Sequence, residues 1–162
     1  ALNGGLSRYV KIRYFYNILL KKDVSDEKVQ ELADKFSIIM KTELTNKKYL
    51  IKETVEFIKL NYQNYNFHIV SGSDEKELNY LCKELELSQY FKTIEGSPTC
   101  KNDLVKNILQ KYSYNPKECI LIGDSINDFD AANINCMKFY GYNNKLLKDK
   151  DAYIESFNSF NI

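Results

Sequence analysis

The sequence predicts an α/β fold: a Rossmann-like parallel sheet with helices on both faces, preceded by a purely helical region. Three observations carry this. After an Asn-rich turn at 61–66, short apolar runs alternate with amphipathic stretches of helical spacing. Two of the apolar runs, Phe67-His68-Ile69-Val70 and Ile120-Leu121-Ile122, lead directly into glycine-containing turns that open helices. Before the turn, no stretch reads as a strand. The same change in character divides the chain into a helical region over 1–62 and an α/β core over 63–162, with no low-complexity linker between them.

In order along the chain, Ser7 is placed to cap a helix carrying Tyr9, Ile12, Tyr16 and Leu19 at helical spacing. Ser25 is placed to cap a second, with Val29, Leu32, Ala33, Phe36 and Met40 on one stripe, and a third helix runs through Leu50, Ile51, Thr54, Val55 and Ile58. Arg8, Lys11 and Arg13 read as a solvated helix face, the alternative being contact with an anionic group of a substrate. Strands follow at 67–70, 92–94, 119–122 and 137–140, with an edge strand near 153–157. The intervening helices are marked by Leu78, Leu81, Cys82 and Leu85, by Leu104, Val105, Ile108, Leu109 and Tyr112, and by a shorter one from about Asn127.

Composition narrows the function classes. With 44% hydrophobic and 28% charged residues and two prolines in 162, the chain is globular and not disordered. A net charge of +1 gives no general electrostatic reason to bind nucleic acid or an anionic membrane. No apolar run approaches the roughly 18 residues that span a bilayer. The cysteines at 82, 100, 119 and 136 form no CxxC pair, so they read as reduced, mostly buried thiols of a cytoplasmic protein. The single histidine, His68, reads as a packed strand residue, so serine-histidine or cysteine-histidine catalysis would rest on that one candidate.

The sharpest chemical feature is Gly123-Asp124-Ser125-Ile126-Asn127-Asp128, directly after an apolar strand. Ligands of parallel sheets bind at the carboxyl ends of the strands. Two carboxylates arriving there four residues apart form a hard oxygen site of the kind Mg²⁺ takes. Helix capping by Asp124 or Ser125 accounts for only one such residue. Upstream, Ser71 and Gly72 end another apolar strand, where backbone N–H groups and a hydroxyl can cradle a phosphate. Between the two lies Lys101 in the first turn of a helix, a place that favours anions over cations, so a bound anion would relieve the conflict. No GxGxxG or GxxxxGK[ST] phosphate loop is present, which sets aside a generic nucleotide-binding domain.

The order Ser71, Lys101, Asp124 and Asp128, each at or just beyond a strand end, resembles the haloacid dehalogenase-like hydrolase superfamily of aspartate-nucleophile phosphatases, over residues 3 to 144. The resemblance implies that Ser71 and Gly72 bind phosphate, that Lys101 holds the phosphoryl group, and that Asp124 and Asp128 hold Mg²⁺. It also implies that the helical region is a cap and that the substrate is a small phosphorylated metabolite, with neither nucleic acid nor membrane as partner. Catalysis by Ser71 and Lys101 would then proceed through an aspartyl-phosphate intermediate.

The departure lies at the nucleophile. Such phosphatases begin with an apolar strand ending in Asp-x-Asp, and no stretch of this chain has that form; residues 1–5 contain no acid. That central strand would lie between the strand of Ser71 and the strand of Asp124. Its absence predicts that these two strands are not hydrogen-bonded to each other. The chain thus reads as an N-terminally shortened Mg²⁺-dependent phosphomonoester hydrolase, inert by itself; the alternative is a non-catalytic phosphate-binding or interaction module derived from the same fold.

Overall fold

The structure, a computed structural model, describes residues 6–162. Helix α1 (Arg8–Tyr14) starts at Ser7, whose hydroxyl accepts from the Val10 N–H, and passes into a π-helical turn at Phe15–Leu19. Helix α2 (Asp26–Leu44) starts at Ser25, which accepts from the Lys28 N–H; Asp26 and Glu27 in its first turn complement the helix dipole. Helix α3 (Lys52–Asn61) completes the helical region. The core then alternates: β1 (His68–Asp74), α4 (Glu75–Glu84), β2 (Thr93–Ser97), α5 (Lys101–Lys111), β3 (Ile120–Gly123), α6 (Ile126–Ile134), β4 (Lys138–Tyr142) and β5 (Ala152–Ile154).

Every strand pairing is parallel, as the alternation of strands and helices requires. The strands form two sheets, as the missing central strand predicts: β1 pairs with β2, and β3 with β4 and then β5. No strand among the described residues lies between β1 and β3. β1 and β3 are thus both edge strands, and their apolar residues Ile69, Val70, Ile120 and Ile122 are only half-buried.

Helices cover both faces and hold the two sheets together. On one face Val105 of α5 and Ala131 and Ala132 of α6 pack with Leu121, Phe139 and Leu147, and Val70 of β1 joins them. On the other, Phe57 of α3 packs with Ile154 and Phe157, against Phe67, Ile122 and Tyr140. Consecutive residues Leu121 and Ile122, like Phe139 and Tyr140, thus serve opposite faces, as strand geometry dictates. The cysteines depart from the expected burial: Cys82 is buried and Cys119 half-buried, while Cys100 and Cys136 are exposed, because they stand at the start of α5 and in the turn after α6. All four are free thiols.

Arg8 does not belong to a solvated face. It forms a two-pronged ion pair with Glu77 of α4, and its guanidinium also donates to Ser37 Oγ on α2 (2.6 Å). With the paired side chains only 10% and 7% exposed, this contact joins α1 and α2 to the core out of contact with bulk water. Burial pushes the Glu77 carboxyl up, but hydrogen bonds from Arg8 and Ser37 and the charges of Arg8 and Lys41 outweigh it and hold it below its ordinary value of 4.5.

Removing one partner strands the other charge in a buried site, so Arg8→Ala should lower stability by about 3–5 kcal/mol. The folded Glu77 value is depressed, so its contribution is complete above pH 4.5 and disappears as pH falls through the lower folded value. Urea denaturation across this range should show an acid loss of stability that is smaller in Glu77→Gln.

Candidate active site

The carboxyl ends of β1 and β3 are built by two strand-to-helix turns. At the end of β3, Ser125 and Asp128 form a reciprocal cap of α6: Ser125 Oγ accepts from the Asp128 N–H (3.3 Å), and Asp128 Oδ2 accepts from both the Ser125 N–H (3.0 Å) and its hydroxyl (2.6 Å). The carboxylate lies directly over Gly123, where a Cβ would overlap the Asp128 side chain; glycine is required by that approach. The other carboxylate oxygen, Oδ1, accepts from Lys101 Nζ. Lys101 and Asp128 side chains are 11% and 8% exposed, so the ion pair is largely shielded from solvent. Asn135 Nδ2 donates to Asn102 O (3.2 Å), a second link between the start of α5 and α6.

β1 runs on past the expected end at Val70 to Asp74, with its pairing to β2 irregular between those residues; there Ser71 Oγ accepts from the Ser73 N–H (3.1 Å), and the Gly96 N–H donates to Glu75 Oε2 (3.0 Å), fastening the start of α4 to β2. A cleft of about 310 Å³ opens beside Lys101 and is lined by Gly72 of β1, Asn127 and Asp130 from α6, the 97–100 segment, and Leu6, Ser7 and Val10 from the N-terminal side. Asp124 is exposed at the end of β3, its carbonyl oxygen accepting from Asn144 Nδ2 (2.7 Å).

The sequence matches a known family. The family described as haloacid dehalogenase-like hydrolase matches residues 5–141. The chain belongs to that family. No curated protein matches it. Among solved structures, this haloacid dehalogenase-like hydrolase resembles a HAD hydrolase of family IA, variant 3, from Entamoeba histolytica, at 20% identity and TM-score 0.76 over 99% of this chain and 78% of that one. It resembles CbbY from Rhodobacter sphaeroides in complex with phosphate at 12% identity and TM-score 0.77, over 95% and 75% of the two chains. A predicted phosphoglycolate phosphatase from Haemophilus somnus gives 17% identity and TM-score 0.73, over 96% and 76%. The family is one of enzymes, and the shared architecture is the Rossmann-like α/β fold.

Of the residues expected to act, the structure brings Lys101 and Asp128 into contact and places Gly72 on the same cleft as Lys101. Ser71 and Asp124 flank the region and are not among the described residues lining the cleft. Both oxygens of Asp128 are engaged, and no group of three or more His, Cys, Asp or Glu side chains suited to a metal occurs among the described residues. The Asp-x-Asp spacings that do occur, Asp128 with Asp130 and Asp149 with Asp151, lie on α6 and in the turn before β5, where Asp151 accepts from the Phe139 N–H (2.9 Å).

His68 begins β1, away from these turns, with Nδ1 2.8 Å from Thr93 Oγ1 and Nε2 3.1 Å from Tyr114 Oη. Burial, then the charges of Lys111 and Lys92, push its pKa down. Sequence reasoning did not single out Asn127 or Asp130 as cleft residues. Their spacing of three along α6 was the available signal, since it puts both on one side of the helix.

The Gly123 contact is testable. Gly123→Ala should cost about 1–3 kcal/mol, because Asp128 is pinned by Ser125 and Lys101 and has nowhere to move. A urea midpoint indistinguishable from the parent chain would contradict the packing described.

Proposed function

We propose that the chain is the phosphate-holding part of a Mg²⁺-dependent phosphomonoester hydrolase that acts in the cytoplasm on a small phosphorylated metabolite. The observation that carries this reading is the Lys101 ammonium, fixed by Asp128 at the rim of a cleft that Gly72 also lines. Lys101 holds the phosphoryl group, with Ser71 and the Gly72 backbone beside it. The phosphate bound to the Rhodobacter sphaeroides structure, and the phosphatase named for the Haemophilus somnus one, support the substrate class.

Charge supports the metal. The start of α6 and the turn before it carry three acids, Asp124, Asp128 and Asp130, of which Asp128 is paired with Lys101, so the acids left over favour a cation accompanying a phosphate dianion. Asp124, exposed and oxygen-donating, suits a hard cation that keeps most of its waters, and Asp128, four residues on, holds Lys101. Bound there, the cation would supply neutralisation of the phosphoryl oxygens.

The nucleophile belongs in the break between β1 and β3, on a strand ending in Asp-x-Asp. Its first carboxylate would attack phosphorus as the ester P–O bond breaks, with the second protonating the leaving oxygen. Without that strand the chain binds phosphate but does not hydrolyse esters. The second reading, a non-catalytic phosphate-binding or interaction module, is favoured by the same break in the sheet.

Two measurements test these readings. Inorganic phosphate should bind the chain in the presence of Mg²⁺, and Lys101→Ala should weaken that binding about tenfold or more, the loss of a charge-assisted contact. Joining an apolar strand ending in Asp-x-Asp ahead of α1 should bring Mg²⁺-dependent release of nitrophenol from p-nitrophenyl phosphate, abolished by Asp124→Asn. Phosphate binding without any such turnover favours the non-catalytic module.

A further inference from the structure

The charged side chains lining the cleft are Lys101, in the first turn of α5, and Asp130, on α6, and they have opposite sign. The remainder of the lining is uncharged: Leu6 and Val10 form an apolar wall, and Pro98 and Thr99 a loop rim. Lys101 is committed to Asp128 beneath it, whereas Asp130 is exposed and takes part in no ion pair among the described residues. Asp130 is also not needed for the α6 cap, which Ser125 and Asp128 complete. Arg8, the nearest arginine in sequence to the apolar wall, pairs with Glu77 and is not among the residues lining the cleft.

A cleft of about 310 Å³ lies at the small end of ligand sites, so one bound molecule reaches much of this lining. Its phosphoryl group belongs at Lys101. The other charged group of the lining is the Asp130 carboxylate, and no further cation lines the cleft among the described residues.

We propose that the cleft selects phosphomonoesters whose other end is an ammonium group, and rejects those ending in a carboxylate or a second phosphate, with Asp130 as the residue that decides. The proposal rests on the phosphoryl-binding reading above. An ammonium end gains an ion pair with Asp130, whereas a carboxylate end is repelled by the same charge. At a solvent-accessible site each effect is worth at most about a factor of five, so the two combine to a preference of about tenfold.

O-phosphoethanolamine and 2-phosphoglycolate, similar in size and opposite in the charge of the far end, provide the test. Calorimetric titration of the chain in Mg²⁺ should favour the amine about tenfold, a preference that shrinks to within about twofold in Asp130→Asn and reverses in Asp130→Lys. In the unsubstituted chain, raising salt from about 0.05 M to about 0.5 M should compress the same preference, a readout that needs no variant. Inorganic phosphate, titrated in parallel against the chain and Lys101→Ala, separates the two levels. If phosphate binding depends on Lys101 but the amine-to-acid ratio is near one, or is untouched by Asp130→Asn and by salt, the role of Asp130 is refuted while the phosphoryl reading stands. If phosphate fails to bind, or binds Lys101→Ala equally well, the phosphoryl reading falls and this inference falls with it.

Discussion

The ion pair between Lys101 and Asp128 bridges two sheets that share no backbone hydrogen bond. Helix α5 packs on β1 and β2, helix α6 on β3 and β4, and the two helices meet where Lys101 reaches Asp128. A buried pair of this kind gives little net stability, because desolvation offsets most of the Coulomb attraction. What it supplies is position: the ammonium is held at one point on the cleft by a carboxylate that is itself fixed by Ser125 and by close approach to Gly123. Asn135 reinforces the same junction from the far end of α6.

The helical region is tied into this arrangement at two places by different chemistry. Arg8 anchors α1 and α2 to α4 through Glu77 and Ser37, which sets the Leu6 and Val10 wall beside Gly72 and Lys101. Helix α3 instead carries Phe57 into an aromatic cluster with Phe157 and Phe160, and Glu53 accepts hydrogen bonds from Tyr142 and Ser156. The helices that precede the core in sequence therefore build part of its cleft and close one of its faces. An apolar wall fixed to the core in this way limits what can accompany a phosphoryl group at Lys101.

Much of the fold was legible in the sequence. The strands at β1, β3 and β4 were marked by apolar runs, and Ser7 and Ser25 marked helix starts that the structure bears out. The lack of pairing between β1 and β3 was also anticipated, from the missing strand. Arg8 was misread as solvated because its partner Glu77 is 69 residues away, a separation that no local pattern encodes. The exposed cysteines at 100 and 136 were misread because thiol burial was judged from residue type, while exposure was set by their places at helix ends.

The sequence by itself determined which chemistry is present in which part of the chain: a hydroxyl and glycine in the second half of β1, a lysine opening α5, a glycine closing β3 and two acids just beyond it. Those choices are local, written in runs of a few residues whose periodicity and turn propensities act over one or two helical turns. Only the tertiary structure decided how they are shared out. It gave Asp128 to Lys101, left Asp124 exposed, and put Asp130 on the cleft, because partners in an ion pair and walls of a cavity are selected by packing between elements far apart in the chain.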